Sequence, residues 1–266
     1  MNNIDIHLHL SPIDVIGKES RLSYDDLVKK YKEVVTSVSD IGTKKGLVII
    51  LDTNFLSNPE CVRFVTDNSD LFVNFPLCLT FDFRDSFSFK LLKKAKELGV
   101  KAIKFHPLKQ RIAEKDYELA GAFAMEAEKL GLFVVVDCAY GTKHLYDYTG
   151  IKLAGYLSKK ISVPIVIAHA GGLRVLDAML IASDTNNIYI DISFSLDYWA
   201  GCKSVEDNFA FAIRKLGSDR VMYGTDMPCV SAKNYFKLVR KFFKRYKFSE
   251  SDIEKIFYTT ANKLLS

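Results

Sequence analysis

The chain has 266 residues, 48% hydrophobic and 26% charged, with a formal net charge of +5. That balance describes a folded globular protein and excludes a disordered one, while no apolar run approaches the ~18 residues of a membrane span and no basic-then-apolar leader of the secretory kind is seen at the start. Five scattered cysteines, Cys61, Cys78, Cys138, Cys202 and Cys229, have no C-x-x-C pair and suit free thiols in a reducing compartment, so a cytoplasmic protein is expected.

The first predicted strand is "IDIHLHL", residues 4–10. Its alternation puts Asp5, His7 and His9 on one side and Ile4, Ile6, Leu8 and Leu10 on the other. A helix over 24–41 leads to a strand at 46–52, a helix at 59–67 and a strand at 71–80. The same alternation continues with helix 86–98, strand 100–106, helix 117–130 and strand 132–137. Helix 143–160, strand 163–169, helix 175–183 and strand 188–193 come next. Helix 205–216, strand 220–226, helix 232–246 and an extra C-terminal helix at 250–265 complete the series. Gly99, Gly131 and Gly217 stand where helices end before a strand, which suits the left-handed cap. Eight β-α units without a linker predict a single domain over residues 1–266 with the (β/α)8 TIM-barrel fold. A doubly wound sheet would carry a glycine-rich turn after the first strand, and that turn is missing.

The basic run over 233–247, "KNYFKLVRKFFKRYK", has apolar residues at helical spacing. It reads as an outer helix with a solvated basic face, so neither nucleic acid nor membrane is expected as a partner.

Barrel enzymes work at the C-terminal ends of their strands. Four of the five histidines fall at such ends, His7, His9, His106 and His169, together with Asp52, Asp137 and Asp226. Converging imidazoles and carboxylates point to a divalent metal with one position left for water. Lys104 and His106 face the same way on the fourth strand, and a buried ion pair with an aspartate is the usual fate of such a lysine.

The runs "IDIHLH", "KFHPLKQ", "IAHAGG" and "YGTDMP", with the closing "YTTANKLL", closely resemble the amidohydrolase superfamily, in its branch of small TIM-barrel metal-dependent hydrolases and decarboxylases. The resemblance implies that His7 and His9 are metal ligands. Asp226 both touches the metal and exchanges a proton with its water, and His169 completes the metal shell or polarises the substrate. Where the family commonly has a strand-five histidine ligand, this chain has Asp137, which would serve as an oxygen ligand or else hydrogen-bond the loop after the strand. Zinc is the expected ion, with manganese the alternative that a second carboxylate favours. In some superfamily members a carboxylated lysine near Lys104 bridges two ions. The implied activity is hydrolysis of a small amide, ester or lactone, or else non-oxidative decarboxylation. A barrel with a drifted, non-catalytic site is the third possibility. The expected partner is a small-molecule substrate, and a homodimer is plausible by resemblance.

For the substrate, His106, Tyr140, Arg174 and Trp199 are the expected binding residues, with Phe81, Tyr198, Lys109 and Arg111 as further rim candidates. Cys138 and Cys229 lack an adjacent base and are expected to be bystanders, and His144 is expected to be exposed.

Overall fold

The computed structural model describes residues 2–10, 23–139 and 146–266. Eight parallel strands follow one another in chain order: β1 (Asn3–His9), β2 (Thr43–Ile50), β3 (Leu77–Thr80), β4 (Ala102–Phe105), β5 (Phe133–Val136), β6 (Ile165–Ile167), β7 (Ile188–Asp191) and β8 (Val221–Met222). Helices cover the outside, so both faces of each strand are buried and the strands read as apolar runs. The result is a (β/α)8 TIM barrel.

The seam between β8 and β1 closes the sheet. Leu8 forms a parallel bridge with Met227. Ile6 N donates to Tyr223 O at 3.1 Å, and Asp226 N donates to His7 O at 2.8 Å. Buried Asp5 staples the same seam: its Oδ1 accepts from Thr225 N at 3.0 Å and its Oδ2 from Thr225 Oγ1 at 2.7 Å. Burial pushes the Asp5 carboxyl up to about 7, against the pull of those donors.

Two apolar layers follow from the strand period of two. Ile4, Ile6, Leu47, Ile49, Phe133, Val135, Val166 and Met222 fill the barrel, which Ala261 and Leu265 plug from below. Leu8, Leu10, Val48, Ile103, Val134 and Ile165 pack beneath the helices. The strict alternation expected over residues 4–10 therefore breaks. The ladder between β1 and β2 slips between Asp5 and Leu8, and Ile6 and Leu8 end up in different layers. A bulge of this kind re-aims the side chains that follow it.

The helices are α1 (Tyr24–Ser39), α2 (Pro59–Asp67), α3 (Ser86–Glu97), α4 (Pro107–Gln110), α5 (Tyr117–Lys129), α6 (Gly150–Leu157), α7 (Val175–Ser183), α8 (Ser195–Tyr198), α9 (Lys203–Leu216), α10 (Ala232–Arg245), α11 (Glu250–Glu254) and α12 (Thr260–Leu265). Ser23 and Asp26 form a capping box at the start of α1. In α10, Tyr235, Val239, Phe242 and Phe243 are buried while Lys233, Lys237, Lys241 and Lys244 are exposed, as an amphipathic outer helix requires. Among the described residues, no helix is long and apolar enough to cross a membrane.

Several boundaries differ from expectation. Residues 69–73 form a short 3-10 turn instead of the first half of β3. Of the helix expected over 143–160, residues 143–145 lie outside the described residues, and α6 begins at Gly150, which passes the Asp137 carbonyl so closely that an added Cβ would lie 2.1 Å from it. The single C-terminal helix is α11 and α12 joined by a wide π turn over Lys255–Thr259, which places Ile256 O to accept from Tyr223 N at 2.9 Å. Short α4 and α8, the latter opening at Ser195, were not anticipated. Asp52 lies past the end of β2 and caps a turn, its Oδ1 accepting from Asn54 N at 2.9 Å.

Candidate metal centre

Three donor atoms meet at the top of the seam. His7, His9 and Asp226 each offer one ligand atom, all within 4.8 Å of one another, and all three residues are buried. His9 Nε2 is 3.1 Å and His7 Nε2 3.5 Å from Asp226 Oδ1. The local fold exists to bring them there. Gly224 lets β8 cross against β1: a Cβ on it would lie 2.8 Å from His7 Cβ. Asp226 then adopts φ 69°, a left-handed conformation that aspartate tolerates better than most residues.

The proton positions follow from the partners. His7 Nδ1 lies 3.0 Å from Asp191 Oδ2, an acceptor only, so the ring donates from Nδ1 and turns the lone pair of Nε2 toward Asp226 and His9. Burial, then the positive charge of Lys104, hold the His7 pKa below its ordinary value. Burial likewise pulls His9 down to about 4, against its hydrogen bond to Asp226. His9 Nδ1 has no partner among the described residues. That ring can therefore carry its proton on Nδ1 and present an Nε2 lone pair. Two neutral imidazoles and a carboxylate form a donor set that fits one divalent ion.

His169, whose ring lies 4.7 Å from that of His7, behaves differently, although His7, His169 and Asp191 also bring ligand atoms within 4.8 Å of one another. His169 Nδ1 lies 3.2 Å from the Ser193 carbonyl, and its Nε2 3.3 Å from Asp137 Oδ2. Both ring nitrogens thus face acceptors, which suits the imidazolium. Burial opposes that charge, yet Asp137 first, then Asp226 and Asp191, raise His169 to about 9. Asp137 also pairs with Lys104 Nζ at 3.1 Å, while its Oδ1 accepts from Ala139 N at 3.2 Å. Although burial favours the neutral acid, His106, Lys104 and His169 keep the Asp137 carboxyl well below the usual range. The ion pair expected for Lys104 is present. Asp137, expected as the fourth ligand, stands outside the His7–His9–Asp226 group with both oxygens engaged elsewhere.

Above these walls lies a cavity of 270 Å³, lined by His9, His106, Asp137, His169 and Asp226 together with Leu51, Leu108, Lys109, Ala139, Phe194 and Cys229. Burial, then Asp226, push the Cys229 thiol up to about 12, so it is no nucleophile at neutral pH. Burial lowers His106 to about 3 against the pull of Asp137. Of the expected substrate contacts, His106 faces this cavity. Arg174 lines instead an adjoining 20 Å³ crevice that shares Leu108, Asp137 and Ala139 with the cavity, and sits 3.8 Å from Asp177. Nor does Trp199 line the cavity: its ring packs against the core and edge-on to Tyr198 at 5.0 Å. Tyr198 is exposed, with its ring 5.4 Å from that of Phe194, and Phe81 is a core residue near Phe123. Tyr140 and His144 lie outside the described residues.

Three participants escaped sequence reasoning. Asp191 and Ser193 follow Tyr189 at the period of two in "YIDIS", and that alternation was the available signal. Asp191 is held at about 2, burial being outweighed by His7. Phe194 (φ 59°) meets His169 edge-on at 6.0 Å and supplies the aromatic wall.

A family model described as "Amidohydrolase" matches residues 4–266. No curated protein sequence matches significantly. Among solved structures, a probable 2-pyrone-4,6-dicarboxylic acid hydrolase from Acinetobacter baumannii with citric acid bound is similar at TM-score 0.69 and 16% identity, over 100% of this chain and 99% of that one. A 2,6-dihydroxybenzoate decarboxylase from Rhizobium is similar at TM-score 0.65 and 14% identity, covering 100% and 98%. An amidohydrolase from Burkholderia multivorans with zinc bound is similar at TM-score 0.70 and 12% identity, covering 100% and 99%.

Proposed function

The chain belongs to the amidohydrolase family, and from that premise we propose a metal-dependent hydrolase that opens a small ester, amide or lactone. The observation that carries this reading is the convergence of His7, His9 and Asp226 beneath a 270 Å³ cavity that a charged His169 also lines. Zinc suits two imidazoles and one carboxylate, with manganese the alternative. When bound, such an ion polarises a carbonyl and lowers the pKa of water from 15.7 to about 7.

The protein's own residues do the rest. Asp226 accepts the proton of the attacking water and returns it to the leaving group. His169 offers its positive charge to the carbonyl oxygen as charge develops there. Asp137 is the counter-ion that keeps His169 protonated and Lys104 in place. Leu51, Leu108 and Phe194 enclose the substrate, and His106 and Lys109 orient its polar groups.

A second reading, non-oxidative decarboxylation, is favoured by the cations His169 and Lys109 at the cavity wall, which would seat a free carboxylate. In either case the chain works as one domain, in a reducing cytoplasm that suits its five free thiols. Leu180 and Phe211, exposed on neighbouring α7 and α9, offer an apolar patch that a homodimer would cover.

The test is metal content per chain by plasma mass spectrometry, followed by assay of a lactone, ester and amide panel with and without chelator. One zinc per chain is expected, absent in His7→Ala and His9→Ala, with activity falling about 10³-fold. Release of carbon dioxide in place of water addition selects the second reading. No stoichiometric metal after resupply sinks both.

A further inference from the structure

We propose that Asp191 and Ser193 are positioning residues of the reaction, one hydrogen-bonded unit that holds the His169 ring at a fixed place beside His7. The inference rests on the proposed hydrolase, in which His7 binds the ion and His169 receives developing charge. Asp191, Ser193 and Ser195 alternate in "DISFS" at the end of β7, and each of them reaches His169. Asp191 Oδ1 accepts from His169 N at 3.1 Å, the Ser193 carbonyl lies 3.2 Å from the ring Nδ1, and Ser195 Oγ donates to His169 O at 2.6 Å. Those bonds fall on a segment that would not keep its shape unaided. His169 and Ala170 adopt φ 59° and 49°, left-handed values that are unfavourable for a residue with a Cβ.

The same carboxylate serves His7. Asp191 is buried, and its Oδ2 accepts from His7 Nδ1 at 3.0 Å. Its Oδ1 also accepts from Ser193 N at 2.9 Å and from Ser193 Oγ. Having given its one proton to Asp191, the Ser193 hydroxyl can only accept from the rings, and it lies 3.0 Å from His169 Nδ1 and 3.2 Å from His7 Nδ1. Both rings turn an Nδ1–H into this group, so hydrogen bonds fill it, and His7 Nε2 is left for the ion. Side chains from β1 and from the end of β6 thus take their spacing from one acid and one hydroxyl after β7. That spacing sets where the ion stands relative to the charge on His169, and a misplacement of about 1 Å can cost a reaction about 100-fold.

The experiment measures zinc affinity and turnover separately. In Asp191→Asn and Ser193→Ala, kcat at saturating zinc, on the substrate that the panel identifies, is expected to fall about 10- to 100-fold with KM within about threefold. Zinc affinity should divide the two variants. It falls in Asp191→Asn, which loses the charged partner of His7, and stays within about threefold in Ser193→Ala, which removes no charge and leaves that bond in place. Hydrogen exchange on metal-free protein gives a readout that needs no activity. The His169 amide is expected to exchange at least about 10-fold faster in Asp191→Asn, while the Val166 amide on β6 keeps its rate. Recovery of native kcat in either variant once zinc saturates overturns the inference and leaves the centre intact, and so does a His169 amide that exchanges no faster than in native protein. No stoichiometric zinc in native protein overturns the centre, and the inference with it.

Discussion

His9 and His169 face one cavity from the ends of β1 and β6, and both are almost wholly buried. Burial penalises the charged form of each. Yet His9 is pulled down to about 4 and His169 raised to about 9. The difference lies in the neighbours. His9 has Asp226 on one nitrogen and nothing described on the other, with the charges of Lys104 and His7 against it. His169 has an acceptor at each nitrogen and three carboxylates within range. The same side chain is thus a lone-pair donor on the β1–β8 side and a cation on the β5–β6 side. A hydrolytic site needs both: one wall to hold an ion and another to receive negative charge.

The largest break in that asymmetry comes from Asp137→Asn, which removes the anion shared by His169 and Lys104. At pH 6.5 a loss of about 3–5 kcal/mol is expected in metal-free protein, because a buried charge is left unpaired. The pH dependence identifies the cause. The folded pKa of His169 is raised above its unfolded 6.5, so its contribution is complete below pH 6.5 and is lost as pH rises through about 9. The gap between native protein and variant should therefore narrow across that window, by up to about 3 kcal/mol. Urea unfolding at several pH values measures it. A gap that stays constant would mean that Asp137 does not set the charge of His169.

A smaller effect is expected on the other wall. Asp191→Asn leaves His7 a neutral partner in place of a carboxylate, without touching the three donor atoms. Outer partners of metal-bound histidines are worth about 10- to 100-fold in affinity. Zinc affinity should fall by that much, with stoichiometry unchanged at saturation. Competition against a chromogenic chelator reads the shift. An unchanged affinity would show that the bond from His7 Nδ1 orients nothing that matters.

Most of this contrast was readable from residue order, because barrel strands put chemistry at their ends. His9, His106, His169, Asp137 and Asp226 line the cavity, with His7 buried beneath it, and the Lys104 pair is present as expected. What failed was finer than periodicity. The slip between Asp5 and Leu8 sends Ile6 and Leu8 to different layers, and no local signal in "IDIHLHL" announces it. Asp191 was passed over because the apolar run continues past it to Ile192, which hides an inward-facing acid inside a strand. Asp137 was read as a ligand from its place on β5. Which cation a buried carboxylate takes depends on the neighbouring strand, and Lys104 on β4 lies 33 residues before Asp137 in the chain.

The smallest predicted effect separates the cavity wall from the outer shell. Phe194 and Trp199 lie five residues apart on the same turn-and-helix unit, and either ring could have been the aromatic side of the site. Phe194 lines the cavity and meets His169 edge-on at 6.0 Å. Trp199 packs outward on the core beside Tyr198. Trp199→Phe should therefore cost about 1 kcal/mol of stability through lost packing and leave KM within about twofold, since no contact with the substrate is lost. Phe194→Leu should raise KM several-fold at little cost in stability, because it removes area that only a bound substrate covers. Measured side by side on the substrate that the panel identifies, the two variants should fall on different axes, KM for one and unfolding midpoint for the other. A raised KM in Trp199→Phe would move the binding wall outward, toward the residues after β7, and would restore the substrate contact that the sequence suggested.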